Sequence, residues 1–315
     1  MLCCNYYHLN LLEHRRALLL CADLVEQHSQ TTHKCQCSNR GRIDSSVETL
    51  GSDTNGFVTY ENNFIVGEDS FGTSMFINPA VDEADAGGTI NIRAGSYEEG
   101  DINIDKNLLI SGAGTTQTTI DASGFSNGFI IDSDLGNTNT TLRRMSVENA
   151  NGAGVRVSDT ANLKVLQMNQ MAFNNNGLHG VAVYGNSMKE LRILNSDFLD
   201  NGALGGSNGE GDILAYFYDG DVTLKNVSIE NNVGGTLADY GVQIRSSSPF
   251  VSGVGFTNRP NSGTIDIDNV EIKGDYRAAL FGVQGFADLD LSVNDFILGG
   301  QTLAGTDSAA GFSAL

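Results

Sequence analysis

From residue 141 onward the hydrophobic and polar positions repeat one phrase. A short alternating stretch leads to an asparagine, two or three more alternating residues follow, and a polar Asn/Asp/Gly cluster ends it. It reads Leu166-Gln167-Met168-Asn169-Gln170-Met171-Ala172-Phe173 before Asn174-Asn175-Asn176-Gly177, then Ile193-Leu194-Asn195-Ser196-Asp197-Phe198 before Asp200-Asn201-Gly202. Leu224-Lys225-Asn226-Val227-Ser228-Ile229, Ile267-Asp268-Asn269-Val270-Glu271-Ile272 and Ser292-Val293-Asn294-Asp295-Phe296-Ile297 continue it, and Arg144-Met145-Ser146-Val147-Glu148-Asn149 precedes it with Met145 in the asparagine slot. The slot therefore falls at 145, 169, 195, 226, 269 and 294, with spacings of 24, 26, 31, 43 and 25.

A base period near 25 with two insertions is what one coil of a three-sided solenoid requires, each side a strand rising about 3.3 Å per residue and each corner polar. The pattern predicts a right-handed parallel β-helix over residues 88 to about 300. Val155 and Val157, Val181 and Val183, and Val242 and Ile244 are expected to point inward from successive coils. Stacking identical slots predicts an inward ladder of asparagine amides, Asn195 and Asn226 among them, each bonded to the next. A helical-repeat solenoid fails because β-branched residues alternate with period two. A β-sandwich fails because one corner motif recurs at one strand position.

Upstream, Phe76-Ile77-Asn78-Pro79-Ala80-Val81-Asp82-Glu83-Ala84-Asp85-Ala86-Gly87-Gly88 reads as a short helix entering a tight turn. Thr89-Ile90-Asn91-Ile92-Arg93-Ala94-Gly95-Ser96-Tyr97-Glu98-Glu99 and Leu108-Leu109-Ile110-Ser111-Gly112-Ala113-Gly114 follow. This resembles the opening coils of the pectin lyase-like superfamily, and the resemblance implies an N-terminal capping helix over the end of the solenoid. It covers residues 76–120 and the later coils generally, and it speaks to fold rather than to activity, since enzymes and adhesins share it.

Composition divides the chain near residue 40. All five cysteines and four of the five histidines lie in the first 37 residues, and all 38 glycines lie after residue 40. Residues 1–40 are read as a disordered or misassigned N-terminal segment, 41–75 as a linker, and 76–315 as the β-helix. The apolar run Ala17-Leu18-Leu19-Leu20-Cys21-Ala22 is too short for a secretory signal. His33-Lys34-Cys35-Gln36-Cys37 has one residue between its cysteines where structural zinc sites have two to four. The last residues neither complete a period nor supply a polar terminator, so end-to-end association or further modules of a longer chain are expected.

The net charge of −20 repels phosphate backbones and anionic lipid, so no nucleic-acid partner is expected. No apolar stretch is long enough for a transmembrane helix. An extracellular or cell-surface location fits this balance.

Fold does not give function, so each enzyme class is sought at its own residues. Gly128-Phe129-Ile130-Ile131-Asp132-Ser133 has the wrong order for the aspartate strand of pectin esterases. Polygalacturonase-like hydrolases need an Asp-Asp pair and Arg-x-Lys, both missing from the sequence, and Leu178 precedes His179 where they have glycine. Polysaccharide lyases have looser needs: a base for the proton α to a uronate carboxylate, and Ca²⁺ or a cationic side chain to neutralise that carboxylate.

Two insertions, residues 202–211 and 246–263, rim a single sheet formed by 154–158, 180–184, 213–218 and 241–245. Insertions in solenoids gather around the binding face. If Val155, Val181 and Val242 point in, Arg156, Ser158, Tyr184, Gln243 and Arg245 point out, with Tyr216 and Tyr218 in the preferred register. Tyrosine rings stack on sugars and arginine forks suit carboxylates or sulfates. Asp212, Asp219, Asp221 and Asp239 at the edges are candidate Ca²⁺ ligands. Three functions follow: a polysaccharide- or surface-polymer-binding β-helix, an acidic-polysaccharide lyase using Arg245 or Tyr216, or a structural passenger segment with no groove at all.

Overall fold

Alternating side chains make the strands, and residues that tolerate left-handed backbone angles turn them. In the computed structural model the antiparallel pair β1 (Val58–Tyr60) and β2 (Asn63–Val66) opens the described fold. α1 (Asn78–Glu83) precedes β3 (Thr89–Ile92), β4 (Gly95–Glu98) and β5 (Ile102–Asn103). β6 (Leu109–Ser111), β7 (Thr118–Asp121) and β8 (Phe129–Ile131) form the next coil. Each later coil has one long and one short strand. These are β9 (Asn139–Glu148) with β10 (Ala153–Val157), β11 (Leu163–Asn174) with β12 (His179–Tyr184), and β13 (Met188–Leu199) with β14 (Gly211–Tyr216). β15 (Asp221–Asn231) runs into β16 (Tyr240–Arg245), and the antiparallel pair β17 (Phe250–Val251) and β18 (Gly255–Phe256) follows. β19 (Ser262–Gly274) with β20 (Ala279–Gln284) and β21 (Asp288–Gly299) with β22 (Ala310–Ser313) complete the order.

The structure describes residues 58–60, 62–68, 76–185, 188–203, 210–216, 220–232, 238–245, 250–251, 255–256, 262–274, 276, 279–284, 288–299 and 310–313. The expectations for residues 1–40, Tyr218 and Asp219 lie outside them. Long strands stack in parallel in a 12-stranded sheet and short ones in an 8-stranded sheet. The result is the three-sided right-handed parallel β-helix that the pattern predicts. It begins before residue 76: β2, within the segment read as a linker, pairs in parallel with β3.

Three sides arise from two sheets because each long strand bends. Arg144, Gln170, Asn195, Asn226, Asn269 and Asp295 occupy one column and all have positive φ, from 48° to 61°. The bend breaks the alternation: Met168 and Met171 are both buried, with Asn169 and Gln170 turned outward between them. This corrects the predicted register. Met145, Asn169 and Asn294 each sit one residue off the corner column.

The amide ladder itself exists. Asn195 Nδ2 donates to Asn169 Oδ1 at 2.8 Å, Asn226 Nδ2 to Asn195 Oδ1 at 2.8 Å, and Asn269 Nδ2 to Asn226 Oδ1 at 3.0 Å. Asn195, Asn226 and Asn269 are exposed, however, where an inward ladder was expected. A residue at the left-handed corner directs its side chain out of the coil, and asparagine is there because it tolerates that backbone.

The buried asparagines belong to the next corner. Asn176 Nδ2 donates to Asn201 Oδ1 at 2.9 Å and to the Val147 carbonyl at 3.1 Å, and Asn231 Nδ2 donates to the Asn201 carbonyl at 3.1 Å. These side chains satisfy backbone groups that the turn leaves inside the solenoid. At the first coil, Glu99 Oε2 accepts the backbone N–H groups of Phe76 and Ile77 while Oε1 accepts that of Asn78. It thereby anchors the start of α1, whose Ala80 and Val81 are buried. Burial pushes the Glu99 carboxyl up, and the three N–H donors pull it back.

Candidate functional site

The short-strand sheet places the candidate residues. Val155, Val181, Ile213 and Val242 share one inward column, and Val157, Val183, Ala215 and Ile244 share the next; all are buried. Alternation then turns the intervening positions outward. Arg156, Ala182, Leu214 and Gln243 form one outward column, and Tyr184, Tyr216 and Arg245 are direct neighbours in the other.

Two pairs stand on this face. The Arg156 guanidinium lies 5.5 Å from the centroid of the Tyr184 ring, and that of Arg245 lies 5.3 Å from the Tyr216 ring. Both distances fall within cation–π range. Adjacent strands are about 4.8 Å apart, so Tyr184, Tyr216 and Arg245 span roughly 10 Å along the solenoid axis. All four side chains keep partial solvent access. Burial is the largest influence on the Tyr184 hydroxyl and raises its pKa; Arg156 acts against this and Glu210 with it.

Gln243 is placed differently from expectation. It faces outward but is only 6 % exposed, and Leu214 and Ala182 beside it are also buried. The floor of the face is thus closed, and its accessible chemistry lies in the two arginine–tyrosine pairs.

Of the aspartates proposed for Ca²⁺, the three described ones, Asp212, Asp221 and Asp239, stand in different surroundings. Asp212 is in the core, fully buried. Asp221 is exposed on β15 in the other sheet, where its Oδ1 accepts the Thr264 backbone N–H at 2.8 Å. Asp239 is buried ahead of β16. Among the described residues no group of three His, Cys, Asp or Glu side chains could hold a metal ion.

Asp212 has a specific reason to be inside. The register stacks Gly128, Gly154, Gly180, Asp212 and Gly241 in one column. A Cβ on Gly154 would lie 2.8 Å from Phe173 Cδ1, and one on Gly180 2.5 Å from Phe198 Cδ1. One coil on, Ile229 takes the place of Phe198 in the core column, and Asp212 takes the place of glycine beside it. Asp212 Oδ1 accepts from Asn201 Nδ2 at 2.9 Å, and Oδ2 accepts from the Tyr276 hydroxyl at 2.7 Å. Burial pushes the Asp212 carboxyl up to about 7, against the pull of those two donors. The sequence reading missed Asn201 and Tyr276 as partners; an aspartate in a glycine column is the signal that would have found them.

His179, considered above as part of a hydrolase motif, is also buried. Its Nδ1 lies 3.3 Å from the Gly211 backbone nitrogen, and burial lowers its pKa to about 4. It is neutral at ordinary pH and turned away from the Arg–Tyr face.

No family model and no curated protein matches the chain. Among solved structures it is similar to the alginate lyase from Paenibacillus sp. str. FPU-7, at 14 % identity over 70 % of this chain and 94 % of that one, with a TM-score of 0.44. It is also similar to the A-module of the Azotobacter vinelandii mannuronan C-5 epimerase, at 17 % identity over 72 % of this chain and 91 % of that one, with a TM-score of 0.19. The stacked parallel strands themselves establish the architecture: the chain has a right-handed parallel β-helix fold.

Proposed function

We propose that the protein is a secreted or cell-surface β-helix that binds polysaccharide along its short-strand sheet. The observation that carries this reading is the pairing of Arg156 with Tyr184 and of Arg245 with Tyr216 on neighbouring rungs of one outward face. Phenol rings offer apolar faces to sugars, and guanidinium groups offer paired donors to carboxylate or sulfate. A rise of about 4.8 Å per strand lets an extended glycan meet successive rungs as it runs along the axis.

The pairing of Tyr216 with Arg245 also favours a second reading, an acidic-polysaccharide lyase. Arg245 would neutralise a uronate carboxylate, and the Tyr216 oxygen would take the α proton while its hydroxyl proton passes to the leaving oxygen as that bond breaks. A glycan panel with and without Ca²⁺, scored for both binding and unsaturated products, tests these readings together. Binding without products supports the first and products support the second. Absence of both leaves the structural-passenger reading.

A further inference from the structure

The outward face of the short-strand sheet is charged on two strands and uncharged between them. The strand order β10, β12, β14, β16 puts Arg156 on the first of four neighbouring strands and Arg245 on the last. The outward positions of the two strands between are Ala182 and Tyr184 on β12 and Leu214 and Tyr216 on β14, none of them charged at neutral pH. Ala182 and Leu214 are buried, so this middle stretch offers a ligand its two phenols. Three strand steps set the arginine-bearing strands roughly 14 Å apart. Each guanidinium lies over a tyrosine ring, an arrangement that leaves its N–H edge for an acceptor. Among the described residues neither arginine has an ion-pair partner.

We propose that the ligand is a sparsely charged acidic glycan, with successive anionic groups set apart by at least one uncharged sugar and one group taken by each of Arg156 and Arg245. This rests on the polysaccharide-binding reading of the face. An anionic group brought over the phenols gives up water without gaining a cation of its own. The net charge of −20 adds repulsion for every anionic group that no arginine neutralises. An uncharged sugar in the same place meets neither cost and packs against the rings. A uniform polyanion gains two ion pairs and is penalised for the groups between them. A chain with spaced charges gains the same two pairs without that penalty.

Isothermal titration calorimetry of the 315-residue protein with tetrasaccharides of equal net charge is the test. Gluco-, manno- and galacto-configured sets each carry two carboxylates, on the adjacent second and third sugars, or spaced on the first and third or the first and fourth. In a set that binds, a spaced isomer is expected to bind at least about tenfold tighter than the adjacent one. Arg156→Ala and Arg245→Ala should each reduce that preference to about twofold or less, with circular dichroism unchanged. Equal affinities, or a tighter adjacent isomer, would overturn the inference and leave polysaccharide binding standing. A preference that survives both substitutions would overturn the assignment of the two arginines. Binding of another glycan by a protein that ignores every dicarboxylate also sinks this inference alone, whereas binding of no glycan at all removes the reading beneath it.

Discussion

The Tyr276 hydroxyl donates a 2.7 Å hydrogen bond to the carboxylate of Asp212, joining two side chains that are 2 % and 0 % exposed. The Asp212 pKa rises from an ordinary 3.8 to about 7, and that of His179 falls from 6.5 to about 4. Stability linked to protonated Asp212 is fully present below pH 3.8 and is lost as pH rises through about 7. Stability linked to neutral His179 is present above 6.5 and is lost as pH falls through about 4. The two contributions oppose each other between those values. Asp212→Asn removes the first, so its stability relative to the parent protein should improve steadily from pH 4 to 8 in urea titrations. A pH-independent difference would place the carboxylate in contact with water.

The corner asparagines are predicted to act through the backbone. Asn226 has φ 53° and is exposed. Asn226→Gly should stay within about 0.5 kcal/mol of the parent, whereas Asn226→Val should cost about 1–2 kcal/mol. Asn201→Ala, at the buried corner, should cost roughly 1–3 kcal/mol by orphaning its partners. Denaturant midpoints of the three variants provide the comparison, and a neutral Asn226→Val would remove the backbone explanation.

Gly180 is predicted to be required for close packing. A Cβ there meets Phe198 Cδ1 at 2.5 Å and the Asp212 carbonyl oxygen at 2.9 Å. Gly180→Ala should destabilise by about 1–3 kcal/mol. Pairing it with Phe198→Leu should recover part of that loss in thermal unfolding, because the smaller side chain withdraws the nearest contact.

On the Arg–Tyr face, Tyr216→Phe should preserve glycan affinity, since the ring and its contact with Arg245 remain. Arg245→Ala should weaken it by about 0.5–1 kcal/mol or more, as an exposed cation–π pair and a charged donor are lost together. Thermal midpoints should stay close to the parent in both. If the protein forms unsaturated products, Tyr216→Phe should abolish them while binding survives, which separates the lyase from the binding module.

The solenoid was legible in the chain because its signal is local and repeated. Val155, Val181 and Val242 each obey the two-residue alternation of a strand, and a polar corner follows each at a similar distance. Direction was harder to read. Asn226 and Asn201 are both asparagines at corners, yet one faces water and the other the core. A left-handed φ at residue 226 turns its side chain out, and the sequence reading had no means to separate the two corners.

The sequence by itself determined the fold class, the inward valine columns and the outward setting of Arg156, Tyr184 and Arg245, since alternation fixes which face each residue of a strand meets, whereas strand 213–218 was ambiguous by one register until the pairing of Tyr216 with Tyr184 and Arg245 set it. Only the tertiary structure decided that Asp212 is a core residue bonded to Tyr276, 64 positions away in the chain, and that Asp221 lies in a different sheet. The physical reason is that burial and pairing depend on which coils stack. Glycine at 154 and 180 leaves space that Phe173 and Phe198 fill, and at 212 a carboxylate stands in the glycine column, held by Asn201 and Tyr276. Such exchanges of volume between coils appear only once the register across the solenoid is set.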